Sequence, residues 1–199
     1  MVQMSRFIDR ALDWRYGIDT SGVFETNLSD DSCHASTVPY RDIDKMLDRL
    51  DLKPADVFID IGCGKGRVLA LAALRAIELA IGIDASSAMV SKAAENCRRM
   101  GGRLRSPVEV HLSFAETYDY GACSAGYCFN SFGWRTLGPV LDKIRQDRGK
   151  SPFRLCFLNP SPEQMNVFAV QGWTLSHMGV AAEMPFVVMQ LTRKGDDAT

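Results

Sequence analysis

The stretch Val57-Phe-Ile-Asp-Ile-Gly-Cys-Gly-Lys-Gly-Arg-Val-Leu-Ala-Leu-Ala-Ala73 places three glycines in five positions between two apolar segments. Its first five residues read as a buried strand and its last eight as a buried helix. Glycines set between them allow backbone conformations that a side chain penalises, and let a ligand approach the main chain. The helix entering at Gly66 presents free N–H groups toward that turn, an arrangement that favours a negative group. The turn is therefore read as a ligand floor. A nucleoside-triphosphate loop of the GxxxxGK type fails, because its first glycine would fall at Ile59. A dinucleotide GxGxxG also fails, since Arg67 stands where its third glycine belongs.

Outward from this turn the pattern alternates. Strands are predicted at 57–61, 79–83, 108–114, 125–129, 154–158, 173–178 and 186–192. Helices are predicted at 66–76, 86–100, 138–148 and 161–171, with a helical or irregular connection near 116–122. Such alternation signals a parallel sheet covered on both faces. The last two strands lack a helix between them, and their link through "GVAAEMP" predicts an antiparallel pair. The fold class is thus α/β, a doubly wound, Rossmann-like, seven-stranded mixed sheet with its last strand antiparallel.

Two helices precede the sheet. In the first, roughly Ser5 to Tyr16, Phe7, Ala11 and Trp14 recur at helical spacing, so the main domain is expected to receive that face. The second, "YRDIDKMLDRLDL", carries Ile43, Leu47 and Leu50 on one side before Pro54. A chain of 199 residues supports one domain. Residues 1–37 are read as a helical extension and candidate lid, and 38–193 as the catalytic core.

With 23 basic against 24 acidic residues the formal net charge is -1, which argues against a generic nucleic-acid binder. The acidic "LSDDS" likewise disfavours a phosphate-rich surface. Six cysteines without a CxxC pair, and scattered His34, His111 and His177, form no zinc pattern; reduced structural thiols are expected, and no metal. The N-terminus has Asp9 and no uninterrupted apolar run, so a cytoplasmic location is expected, and no apolar stretch reaches a membrane span.

Asp84 closes the second strand as Asp60 closes the first, and carboxylates so placed lie side by side at the ligand crevice. Asp84 is suited to accept two ribose hydroxyls, or else caps the following helix, a task that Ser86 performs more naturally.

On these residues the sequence resembles the class I S-adenosylmethionine-dependent methyltransferases. "DIGCGKG" matches their first motif and "IGIDAS" the second-strand motif with its ribose-binding acid; the resemblance spans about residues 38–193. It implies S-adenosylmethionine as cofactor and S-adenosylhomocysteine as product. Asp60, Gly62, Cys63, Gly64 and Gly66 would surround the methionine end, and Asp84 and Ala85 the ribose. Ala115 and Glu116, after the third strand, are the candidates near the adenine amino group. Tyr40 and Arg41, opening the second helix, would cover the methionine side as in some bacterial relatives.

The fourth strand ends in "YCFNSFG", similar to the (Asp/Asn)-Pro-Pro-(Tyr/Phe) motif of nitrogen methyltransferases, with Ser131 in place of the first proline. Asn130 and Phe132 are the catalytic candidates: Asn130 to accept a hydrogen bond from an incoming amine, Phe132 to wall its pocket. Phe129 and Trp134 could complete an aromatic lining. Tyr127, His111 and Glu116 are the unplaced candidates for a base. The expected acceptor is a nitrogen of a small molecule, with a protein side chain, or noncatalytic cofactor binding, as alternatives. The sequence leaves the oligomeric state open.

Overall fold

The computed structural model describes residues 2–21, 38–129 and 131–191, with side chains described from Phe7 onward. Within them the chain runs α1 (Val2–Tyr16), α2 (Tyr40–Leu50), β1 (Val57–Ile61), α3 (Arg67–Ala73), β2 (Leu79–Asp84), α4 (Ser87–Met100), β3 (Val108–Leu112), β4 (Ala125–Phe129), α5 (Trp134–Arg148), β5 (Phe153–Leu158), α6 (Pro162–Val170), β6 (Thr174–Ala181) and β7 (Met184–Leu191).

Among the described residues seven strands form one sheet in the order β3-β2-β1-β4-β5-β7-β6. The first five are parallel, and β7 enters antiparallel between β5 and β6. This is the doubly wound mixed sheet expected. β1 is buried along its whole length, as a strand packed on both faces must be, and takes Asp60 inside with its four apolar residues. One core lies between the sheet and α2, α3 and α4, around Ile43, Leu47, Phe58, Leu69 and Ala70. The other lies on the opposite face around Ile59, Ile81, Leu137, Leu141, Phe157 and Phe168.

Several boundaries differ from expectation for local reasons. The helix predicted from 138 begins at Trp134, carrying Pro139 inside it. The connection at 116–122 is irregular, with turns, one of the two forms expected for it. Before Pro54 is reached, α2 ends at Leu50, where Asp51 adopts a left-handed conformation at φ 54°. The last hairpin turns through Ala182 and Glu183, both at positive φ, so β6 extends further than its composition announces. α6 opens with a capping box, Ser161 accepting from the Gln164 N–H while the Gln164 side chain accepts from Ser161 N–H.

The expectation for α1 is overturned. Phe7 is 77% and Trp14 86% exposed, and Ala11 is exposed beside them. The face turned inward carries Asp9 and Asp13, drawn there by Arg67, the first residue of α3, with Leu12 and Tyr16 packed on the core beside them. A buried guanidinium requires compensating carboxylates, and that requirement decides which face of α1 docks. No helix among the described residues is long and apolar enough to cross a membrane.

Candidate cofactor site at the glycine turn

The turn after β1 is held by β2. Gly62 and Cys63 donate their N–H groups to the Ile83 carbonyl, both at 2.9 Å, and Gly66 N–H returns to the Cys63 carbonyl at 2.8 Å. Gly62, Gly64 and Gly66 have φ of 74°, 52° and 81°, a region that costs other residues about 1–2 kcal/mol each. Two of them are also required by close packing. A Cβ on Gly62 would lie 2.2 Å from Ser131 Oγ, and one on Gly66 3.0 Å from Ala93 Cβ on α4. A Cβ on Gly64 would meet nothing within 4 Å, so here the turn opens onto free space.

Asp60 is buried at the end of β1, and its Oδ2 accepts the Leu69 N–H at 3.1 Å in the first turn of α3. Burial pushes its carboxyl up to about 8; the Leu69 bond opposes this and nearby Asp84 adds to it. Asp84, at the end of β2, accepts Ser86 N–H on Oδ1 at 2.8 Å and Gly64 N–H on Oδ2 at 2.9 Å. Burial raises its pKa against those two bonds. Ser86 occupies the N-cap of α4 with no side-chain capping bond, so the carboxylate of Asp84, not the hydroxyl, serves this turn. Each carboxylate oxygen retains a further acceptor site.

The remaining candidates divide. Ala85 follows Asp84 directly and is half-buried. The Ser113 N–H bonds to the Asp84 carbonyl at 3.1 Å, which brings the segment bearing Ala115 and Glu116 beside the second carboxylate. Ala115 packs against the core and its carbonyl accepts the Tyr120 hydroxyl at 2.8 Å; Glu116 is half-buried. Cys63 contributes backbone alone, since its thiol is turned into the core against Gly82 and burial pushes its pKa far up.

Tyr40 is 3% exposed, with its hydroxyl donated to Asp13 at 2.5 Å and its ring beneath the Arg67 guanidinium at 4.4 Å. The polar end that would cover a ligand is thus committed to the N-terminal helix. The Arg41 side chain is exposed, 3.9 Å from Asp42.

At the end of β4, Asn130 lies outside the described residues. Ser131 next to it donates its hydroxyl to the Ile61 carbonyl at 3.0 Å, and the Phe132 carbonyl accepts from the buried Gln164 amide at 2.9 Å. The aromatic lining is not assembled as a unit: Phe129 packs into one core, Phe132 into the other, and Trp134 is half exposed, with Arg135 5.1 Å from its ring. Tyr127 is fully buried in the core, with its hydroxyl pKa pushed far up by burial. His111 is exposed on the edge strand beside Glu109 at 3.1 Å. Neither is placed as a base. Arg67, Asp13 and Asn96 carry most polar contacts around the turn and were not among the sequence candidates; the single available signal was a charged residue directly after a glycine turn. A separate cleft of about 580 Å³, lined by Cys97, Arg98, Leu104, Arg105 and Val108, opens at the opposite end of the sheet.

A doubly wound sheet with a reversed strand between the fifth and last positions, a glycine turn after β1 and an acid closing β2 is the architecture of class I S-adenosylmethionine-dependent methyltransferases. The family described as "Methyltransferase domain" matches residues 58–146. Over those residues, which are less than half of the chain, the sequence is similar to that family. No curated protein matches it significantly. Among solved structures it is similar to an RNA methyltransferase from Salinibacter ruber in complex with S-adenosyl-L-homocysteine, at 17% identity and TM-score 0.65, covering 81% of this chain and 97% of that one. It is also similar to the magnesium protoporphyrin IX methyltransferase of Synechocystis PCC 6803 with bound S-adenosylmethionine, at 13% identity and TM-score 0.61, covering 94% and 95%. A third is the geranyl diphosphate C-methyltransferase of Streptomyces coelicolor A3(2), at 14% identity and TM-score 0.58, covering 78% and 77%.

Proposed function

We propose that the chain is an S-adenosylmethionine-dependent methyltransferase that acts on a nitrogen of a small molecule, in a crevice between the glycine turn and the segment after β4. The observation that carries this reading is Ser131 seated on Gly62, with its hydroxyl on the Ile61 carbonyl. It brings Ser131, the middle residue of the Asn-x-Phe motif, against the turn that would hold the methyl donor. Small-molecule scale is supported by the anchoring of that segment, since Gln164 fixes Phe132 and leaves little freedom to wrap a macromolecule. Four exposed arginines, Arg98, Arg99, Arg103 and Arg105, lie where α4 ends and before β3 begins, opposite the glycine turn. A phosphate-binding surface there would be remote from the chemistry.

Asp84 would accept the ribose hydroxyls, with Ala85, Ala115 and Glu116 flanking the base. Asp60 offers a buried carboxyl with a single backbone donor, an environment that an ammonium group would satisfy, and Gly64 leaves room above the turn. S-adenosylmethionine, when bound, supplies an electrophilic sulfonium methyl. The chain's own task is orientation for an in-line displacement, for which no covalent residue is required. Asn130 would direct the acceptor lone pair and Phe132 would wall the pocket. Residues 38–193 form the catalytic core in this reading and 1–37 its extension. Among the described residues Cys63, Cys97, Cys123, Cys128 and Cys156 are buried and free, compatible with a reducing cytoplasmic location.

Calorimetric titration with S-adenosylhomocysteine, with NADH as control, tests the pocket; Asp84→Ala should abolish most of the affinity and leave the fold. Incubation with labelled S-adenosylmethionine and dialysable metabolite extract should then place label in a volatile-resistant amine. Label found only in protein or RNA would overturn the small-molecule reading.

A further inference from the structure

The contacts around Arg67 tie the N-terminal segment to the cofactor turn. Arg67 is buried, and each of its guanidinium nitrogens bonds to groups upstream of the sheet. Nε donates to Thr20 Oγ1 at 2.7 Å, Nη1 to the Val38 carbonyl at 3.0 Å and Asp9 at 3.2 Å, and Nη2 to Ser21 Oγ at 3.3 Å and Asp13 at 3.4 Å. Thr20 passes the connection on, because its hydroxyl accepts from Arg67 and donates to Asp13 Oδ1 at 2.7 Å.

A second anchor comes from α4. Buried Asn96 donates from Nδ2 to the Asp19 carbonyl at 3.0 Å and the Lys65 carbonyl at 2.9 Å, and its Oδ1 accepts the Asp19 N–H at 3.1 Å. Lys65 Nζ in turn reaches the Ser21 carbonyl at 2.8 Å and Asp19 at 3.4 Å. Residues 18–21 therefore form a strap fastened behind Lys65 and Arg67. Gly64 stands next to Lys65, and its N–H holds the Asp84 carboxylate.

We propose that Thr20 and Arg67 are positioning residues for cofactor binding: by fastening strap 18–21 they set the backbone of Gly64–Lys65 and so the orientation of Asp84. Neither residue touches the cofactor in this assignment, which rests on the reading of Asp84 as the ribose acid. The chemistry chosen supports a geometric role. Buried ion networks contribute little net stability relative to apolar packing, whereas a planar guanidinium held at every nitrogen fixes direction closely. A cation at the first position of α3 is also disfavoured by the helix dipole, so its retention there calls for the partners that the strap provides.

The test compares the full chain with Thr20→Val and Thr20→Ser. Valine keeps the volume and removes the relay; serine restores the hydroxyl. Thr20→Val should weaken S-adenosylhomocysteine binding by ~10-fold, equivalent to ~1.4 kcal/mol, with Thr20→Ser within a factor of about two of the wild type. Hydrogen exchange of the cofactor-free chain should quicken in Thr20→Val over residues 62–66 and stay unchanged in β4 and β5. Unaltered affinity and unaltered exchange at 62–66 in folded Thr20→Val would overturn the proposal. Should that variant fail to fold, Arg67→Lys, which keeps the charge and loses the fork, carries the same two readouts with the same outcomes. A folded wild type that binds no S-adenosylhomocysteine would overturn the cofactor reading itself, and the exchange comparison would still decide whether strap and turn are coupled.

Discussion

The two helices that precede the sheet bury opposite chemistries. α2 turns Ile43, Met46, Leu47 and Leu50 inward, each at most 1% exposed, and leaves its charges other than Asp42 nearer the surface. α1 turns Asp9 and Asp13 inward and leaves Phe7, Ile8 and Trp14 exposed. Both have a distinct apolar side, so amphipathicity identifies two faces without deciding which one docks. That decision falls to what waits on the core: an apolar surface beneath α2, a buried cation beneath α1.

The largest effect is expected where removing one group strands another. Asp13→Ala leaves Arg67 buried with reduced compensation and frees the hydroxyls of Tyr40, Thr20 and Ser21. It should destabilise by about 3–5 kcal/mol, read by urea unfolding. Leu47→Ala in α2 removes apolar volume alone and should cost about 2–4 kcal/mol. If Asp13→Ala proves the milder of the two, the buried network is not what holds α1 to the core.

The two acids Asp13 and Asp60 sharpen the contrast through pH. Burial raises Asp13, but bonds from Tyr40, Thr20 and Ser21 and the charge of Arg67 outweigh it, so its pKa is lowered. A lowered carboxyl contributes stability above its unfolded pKa that is lost as pH falls through the folded value. Asp60, raised to about 8 chiefly by burial, behaves in the opposite sense: its contribution is full below about pH 4 and is lost as pH rises toward 8. Asp60→Asn should therefore remove a downward slope of at most about 1.4 kcal/mol per pH unit between those limits in the cofactor-free chain. An unchanged slope in Asp60→Asn would mean that Asp60 is ionised in the fold and already has a partner.

The same contrast explains what could be read in the sequence. The strand, glycine turn and helix from Val57 to Ala73 are specified locally, by apolar runs and by glycines whose positive φ the structure requires, and the acid at position 84 follows from strand spacing. The doubly wound parallel class followed from the alternation of elements, and the antiparallel end from the missing last helix. The inward face of α1 depends on Arg67, which lies 58 positions from Asp9 and 54 from Asp13, beyond any periodicity window. Tyr40 suffers the same limit, because its hydroxyl is taken by Asp13, 27 positions away. The β6–β7 turn was displaced for a different reason: Ala182 and Glu183 occupy positive φ without the Gly or Asn that normally announces such a turn.

The smallest effect is expected on the outer face of α1. Trp14→Ser and Phe7→Ser remove large apolar groups, but groups already in water contribute little to folding, so each should change stability by no more than about 0.5 kcal/mol. The measurement that makes this decisive is unfolding at two protein concentrations. A loss near that of Leu47→Ala at high concentration, shrinking as the protein is diluted, would mean that the aromatic face is covered by a second copy in solution, since only association makes stability depend on concentration. α1 would then bury its acids against its own chain and its aromatics against another. A loss that is small and independent of concentration leaves the asymmetry as the structure has it, with Arg67 holding the acids of α1 inward beside Leu12 and Tyr16.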